Sequence, residues 1–177
     1  DYYDHRKFVN FKALNQNRRV FLDQLRKNNM TMDIIPGNHD TYYKNTNELN
    51  ALKECLGHYM NEIHIVMEPA VMQYGSLSMA LLPWICADNY DQSMNFIRDC
   101  KADWLGAHLE LANFEIGRGI LAPHGMDAKI FKKFEQVLSG HYHTASRRDN
   151  IWYLGNPMEF FWSDAHDPKF FHVLDTE

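Results

Sequence analysis

Near the start of the chain, apolar residues recur every three or four positions: Phe8, Phe11, Leu14, Phe21, Leu22 and Leu25. That spacing lines one face of a helix, and Arg18, Arg19, Arg26 and Lys27 fall mostly elsewhere on its surface. A helix is therefore predicted from about Lys7 to Asn28. The period then shortens. Met30 to Ile35 reads as a strand, stopped by Pro36-Gly37. Asn45 to Gly57 starts with capping residues and finishes on glycine, hence a second helix. Ile63 to Met67 is strand-like, and Val71 to Trp84 alternates around Gly75-Ser76 as a hairpin does. Further on, the pattern predicts a short helix over Asp91 to Cys100 and a strand over Trp104 to His108. Helical character over Ala128 to Phe134 leads into a strand at Gln136 to Ser139. Two more strands are predicted, Ile151 to Leu154 and Phe170 to Leu174.

Strands alternate with helices in the first half and dominate the second, which predicts a layered α/β domain with a mixed sheet. No repeat, low-complexity segment or linker divides the sequence, so residues 1–177 read as one domain. The connection from Glu110 to Asp127 is long for such a domain, and long ordered loops are often functional. With 45% apolar and 23% charged residues, the chain has the material for a core. It has no apolar run approaching the roughly 20 residues of a membrane span, and no signal peptide is visible. Cys55, Cys86 and Cys100 have no short paired spacing. Reduced thiols in a cytoplasmic protein are expected, rather than a disulfide framework or a thiolate zinc site. The net charge of −5 does not advertise a nucleic-acid binder. Two bound divalent cations, however, would reverse the sign locally.

The polar residues that stop the strands carry the chemistry. Asn38, His39 and Asp40 stand directly behind Ile34-Ile35-Pro36-Gly37; His108 ends Asp103-Trp104-Leu105-Gly106-Ala107; His141 and His143 follow Val137-Leu138-Ser139-Gly140; Asp1 and Asp4 open the chain. A layered α/β fold gathers the carboxyl ends of its strands on one edge, so these distant residues are expected to converge. Taken alone, Gly37-Asn38-His39-Asp40 could be a solvated turn, and a lone histidine is more often structural than a ligand. Oxygen and imidazole donors without thiolates suit manganese, iron or zinc. A pair of metals about 3.5–4 Å apart needs an anionic bridge, which a carboxylate such as Asp1 can supply. The Asn38 carbonyl oxygen would serve as a neutral donor.

In this order, Asp1-Tyr2-Tyr3-Asp4, Gly37-Asn38-His39-Asp40, His108 and Gly140-His141-Tyr142-His143 resemble the motifs of the calcineurin-like metallophosphoesterases. Within that superfamily the chain is similar to the SbcD-type DNA repair nucleases, particularly the phage recombination endonuclease subunits. The stretches GNHDTYYKN, LLPWIC, GAHLELANF, VLSGHYHT and WYLGNPMEFFWSDAHDPKFFHVLDTE carry that likeness. The resemblance implies a metallophosphoesterase fold with mixed sheets flanked by helices, and two divalent metals, manganese foremost. It implies that Asp1 bridges both metals, that Asn38, His108 and His141 hold one, and that His143 holds the other. His39 would stand at the scissile phosphate as a proton donor, with Asp40 orienting it. The family's opening D-x-H strand has no counterpart here, so about 30–50 further residues are expected upstream, going by the length of a strand–crossover–strand unit. The partners implied are DNA, an SbcC-type coiled-coil ATPase and a second copy of the chain, with the Lys7 to Asn28 helix as the candidate dimer surface. The activity implied is exonuclease and endonuclease cleavage of DNA in recombination and repair, in a bacterial cell or phage-infected host.

Three readings stay open on the residues themselves. A phosphoesterase acting on nucleotides or phosphoproteins would use the same ligands, and a non-catalytic scaffold docking DNA or an ATPase would tolerate an incomplete site. Arg147, Arg148 and Lys44, with Arg6-Lys7, could contact phosphates or form a solvated basic edge. Trp152, Phe160, Phe161 and Trp162 could stack on bases or pack against a core or partner. His124, in the long connection, is the additional histidine with a candidate role.

Overall fold

The computed structural model describes residues 1–117 and 119–176. Its centre is a six-stranded mixed sheet in the order β3-β4-β5-β8-β10-β9. These strands are β3 (Ala70–Tyr74), β4 (Leu77–Leu82), β5 (Trp104–His108), β8 (Gln136–Gly140), β9 (Ser146–Arg148) and β10 (Ile151–Tyr153). From β4 through β5 and β8 to β10 the strands run parallel, with antiparallel β3 and β9 closing the edges. Parallel central strands are covered on both faces, and the sequence shows it. Ala80, Leu82, Leu105, Ala107, Val137, Ile151 and Tyr153 point into one core. Met79 and Leu81 point into another, against which Trp104 and Leu138 pack.

The first core is closed by α4 (Tyr90–Asp99), which buries Ile97, and by Phe131 and Phe134. Lys133 caps the end of α4 by donating from Nζ to the carbonyls of Ile97, Arg98 and Cys100. Such a cation satisfies carbonyls that the helix itself leaves free. The second core lies toward a separate parallel pair, β1 (Met32–Ile34) and β2 (Ile63–Ile65). Asp33 of β1 ties this pair to the large sheet by accepting from Tyr74 Oη at 2.6 Å. The Trp84 N–H donates to the Pro36 carbonyl at 2.9 Å, holding the exits of β1 and β4 side by side. The outer face of the β1–β2 pair packs on Leu22, Leu25, Leu52 and Leu56 from the early helices and from α3 (Ala51–Leu56).

Three expectations are corrected. The first helix begins at Phe11, not Lys7, because the Asn10 side chain caps it by accepting from the Lys12 and Ala13 amides. It runs as α1 (Phe11–Asn17), a π-helical turn (Arg18–Leu22) and α2 (Asp23–Lys27). Only Leu22 and Leu25 of its apolar set are buried; Phe8, Phe11 and Phe21 are exposed, along with Val20. Phe170 to Leu174 forms no strand. The segment has no sheet partner and travels to the β3–β4 turn, where the Thr176 carbonyl accepts from the Ser76 amide at 3.2 Å. The long connection after His108 is partly ordered as a small hairpin, β6 (Glu115–Gly117) with β7 (Ile120–Leu121).

Candidate functional site

Four segments far apart in sequence meet where β1, β5 and β8 end. His108 is the last residue of β5, and His141 follows the last residue of β8, its parallel neighbour. Asn38 lies beyond the turn after β1, and Asp1 lies against the same turn. Glycines allow this approach. A Cβ on Gly37 would run into the Asp1 carboxylate, and one on Gly140 would press to 3.0 Å from His108 Nδ1. His141 itself sits at φ 92, a left-handed conformation disfavoured for a side chain with a Cβ. Its neighbours hold it there. Tyr142 Oη donates to the Leu111 carbonyl, and Ser139 Oγ accepts from the Leu109 amide.

The atoms that converge are nearly all lone-pair bearers. Asn38 Oδ1 lies 2.9 Å from His108 Nε2 and 3.0 Å from His141 Nδ1. His108 Nε2 is also 3.3 Å from both His141 Nδ1 and Asp1 Oδ2. If both rings turn N–H groups onto Asn38, those two N–H groups face one another. A cation shared among the four atoms would remove the conflict, and a donor set of carboxylate, amide oxygen and two imidazoles would suit manganese, iron or zinc. Among the described residues, no three His, Cys, Asp or Glu side chains form a ligand set by themselves. The amide oxygen of Asn38 is what joins the group. Burial pushes the pKa of His108 well below the ordinary imidazole value. Burial and then the neighbouring His108 bring His141 down to about 3. Both rings are thus neutral near pH 7, the state in which an imidazole can bind a metal.

Trp84 frames the two rings, stacked on His141 with centroids 5.6 Å apart and edge-on to His108 at 5.9 Å. A cavity of about 230 Å³ opens beside His108 between Trp84 and Gly125-Met126. The exposed His124 precedes Gly125 in the chain. The His39 backbone N–H donates to Asp1 Oδ1 at 2.6 Å, so the Asp1 carboxylate faces both the His39 amide and His108 Nε2. The His39 ring is half-exposed, its Nδ1 2.6 Å from the Asp4 carbonyl oxygen.

Asp40 does not reach that ring. Its fully buried carboxylate accepts from the amides of Tyr2, Tyr3 and Gly37, each at 2.9 Å at its shortest. It clamps the Asp1 segment onto the Gly37 turn, and the backbone of Asp4, not Asp40, holds His39. A pattern of residue types cannot separate these roles, because the partner of His39 is a carbonyl that any residue would supply.

His143 stands apart from the four-atom group. Its Nδ1 meets Asp164 Oδ1 at 3.3 Å, which leaves Nε2 free to bind. Asp164 was not singled out by the sequence. Burial pushes its pKa up, but the amides of Phe160 and Phe161, with Asn156 and His143, outweigh this and bring it down to about 2. Lys169 was missed as well; its Nζ donates to the His143 carbonyl at 3.0 Å. The expected phosphate contacts are dispersed. Arg148 donates to the Asn113 carbonyl and lies over Phe114, lining a cavity of about 510 Å³ with Lys129 and Lys132. Arg147 lies over Trp152, and Lys44 is exposed on the loop after Asp40. Arg6 donates to Thr41.

Among the described residues, no helix is long and apolar enough to cross a membrane. No family model matches the chain. It is 32% identical over all 177 residues to exonuclease subunit 1 of Enterobacteria phage T4. The chain spans about half of that protein's length, 51%. The described site thus lies in a chain that is similar, from its first residue to its last, to a phage exonuclease subunit.

Proposed function

We propose that this chain carries the catalytic machinery of a metal-dependent DNA phosphodiesterase, an exonuclease and endonuclease subunit in recombination and repair, with a calcineurin-like metallophosphoesterase fold. The observation that carries the reading is the meeting of Asp1, Asn38, His108 and His141 around one point, each delivered from a different segment. Its relative's printed name, an exonuclease subunit, supports DNA as the substrate. Asp1, Asn38, His108 and His141 would hold one divalent cation, and His143 with Asp1 would contribute to a second. Two such cations, manganese foremost, would supply a water of lowered pKa and neutralise charge on the phosphoryl oxygens.

The chain's own residues do the rest. Neutral His108 and His141 present lone pairs rather than repelling a cation. Asp164 holds the Nδ1 side of His143 so that Nε2 faces outward. The Asp4 carbonyl fixes His39 through Nδ1, so protonated His39 can pass its Nε2 proton to the leaving oxygen and return to the tautomer that the carbonyl favours. Arg147, Arg148 and Lys44 would neutralise phosphates farther along the strand. The word subunit in the relative's name supports a larger assembly, which we assign to an SbcC-type coiled-coil ATPase. The exposed Phe8, Phe11, Val20 and Phe21 favour a second copy of the chain at that face.

The test is manganese-dependent hydrolysis of linear duplex DNA by the full-length protein and its His39→Ala variant, with a nitrophenyl phosphodiester as control. DNA cleavage lost in the variant is expected. Cleavage of the small ester with DNA left intact would replace this reading by a phosphoesterase acting on nucleotides or phosphoproteins. Metal binding without cleavage of either substrate would leave a docking scaffold.

A further inference from the structure

The segment after β10 places three consecutive aromatic rings in solvent. Phe160 is 56% exposed, Phe161 52% and Trp162 93%. Rings of this size are usually far more buried. The loop that carries them is nonetheless pinned. Asp164, 4% exposed, accepts from the Phe160 amide at 2.9 Å, the Phe161 amide at 3.0 Å and Asn156 Nδ2 at 3.3 Å, while its other oxygen meets His143. The Phe161 ring is stacked parallel to the His143 imidazole and offset from it, with centroids 5.5 Å apart and planes 5° from parallel. Phe160 meets the same imidazole edge-on at 6.3 Å. One buried carboxylate therefore fixes both His143 and the exposed rings beside it.

We propose that Phe160 and Trp162 form a stacking ledge for an unpaired nucleobase of the strand whose phosphodiester sits at His143. The inference rests on the hydrolytic reading above and names the form of its substrate: a frayed end or single strand rather than a fully stacked duplex. A base is joined to its phosphate through a single sugar, so a phosphate held at His143 brings a base within reach of the rings packed against that histidine. Both faces of a base inside a duplex are covered by its neighbours. Away from the duplex end, only a base that has left the stack can offer a face to Trp162. Stacking of this kind is tolerant of sequence, because every base has a π-face. Lys169 braces the loop as well, its ammonium donating to the His143 carbonyl at 3.0 Å and to the Asp167 carboxylate at 2.8 Å.

The test follows tryptophan emission of the full-length protein as a single-stranded phosphorothioate oligonucleotide, which resists cutting, is added. With manganese present from the start, emission is expected to fall on adding the oligonucleotide, and the fall to be clearly smaller in Trp162→Phe, which keeps a stacking ring but removes that indole and leaves Trp84 and Trp152. In the Phe160→Ala, Trp162→Ala double variant, shown folded by circular dichroism, Kd should rise by about fivefold or more. A blunt duplex of the same sequence should quench less. Quenching of undiminished size in Trp162→Phe, or single-strand binding unchanged in the double variant, overturns the ledge even if the protein cuts DNA. Quenching as expected from a protein that cuts nothing would sustain the ledge and refute the hydrolytic reading.

Discussion

Replacing Asp40 with alanine would separate the clamp from the catalytic parts it supports. The carboxylate is fully buried, and it accepts from the amides of Tyr2, Tyr3 and Gly37. Alanine would leave three backbone donors without a partner, each costing about 1–3 kcal/mol when water cannot replace it. Tyr2 and Tyr3 are only half-buried, so water can recover part of that loss, whereas Gly37 is buried. The expected cost is therefore about 3–5 kcal/mol, a large share of the roughly 5–15 kcal/mol that stabilises a domain. The assay is urea unfolding of the full-length protein beside Asp4→Ala. The Asp4 side chain is 77% exposed, and it is the Asp4 backbone carbonyl that holds His39. That variant should lie within about 0.5 kcal/mol of wild type. If Asp40→Ala costs under about 1 kcal/mol, the clamp does not hold the site and the reasoning is wrong.

Acid should destabilise the metal-free protein below the ordinary histidine range. His108 and His141 stay neutral in the fold while the unfolded chain protonates them near 6.5, so each costs about 1.4 kcal/mol per pH unit, for His141 from about 6.5 down to about 3. Denaturant titrations at pH 7 and pH 5 would read this; equal stability at both would refute it. Gly37→Ala should drive a methyl into the Asp1 carboxylate and lower DNA hydrolysis by about a hundredfold, the scale expected of an ångström-sized misplacement. Activity close to wild type would show that the turn relaxes freely.

Local chemistry made much of this molecule legible in its sequence. The short apolar runs at β4, β5 and β8 set strands, because both faces of a covered sheet must be apolar. The polar residues at the ends of β5 and β8, and behind β1, marked the place where His108, His141 and Asn38 meet. What failed was what depends on neighbours. Helical spacing identified a helix but not what covers it, and Phe8, Phe11 and Phe21 turned out to face solvent. Phe170 to Leu174 had the composition of a strand and found no edge to pair with. In the site, residue type told which side chains can donate, accept or ligate, since that is a property of each group. It did not tell which partners they take. Asp40 on the amides of Tyr2, Tyr3 and Gly37, Asp164 under His143, and Trp84 against His141 are arrangements of residues far apart in the chain. Buried carboxylates bind whichever donors the packed backbone brings within 3 Å, and only the tertiary structure decides which those are.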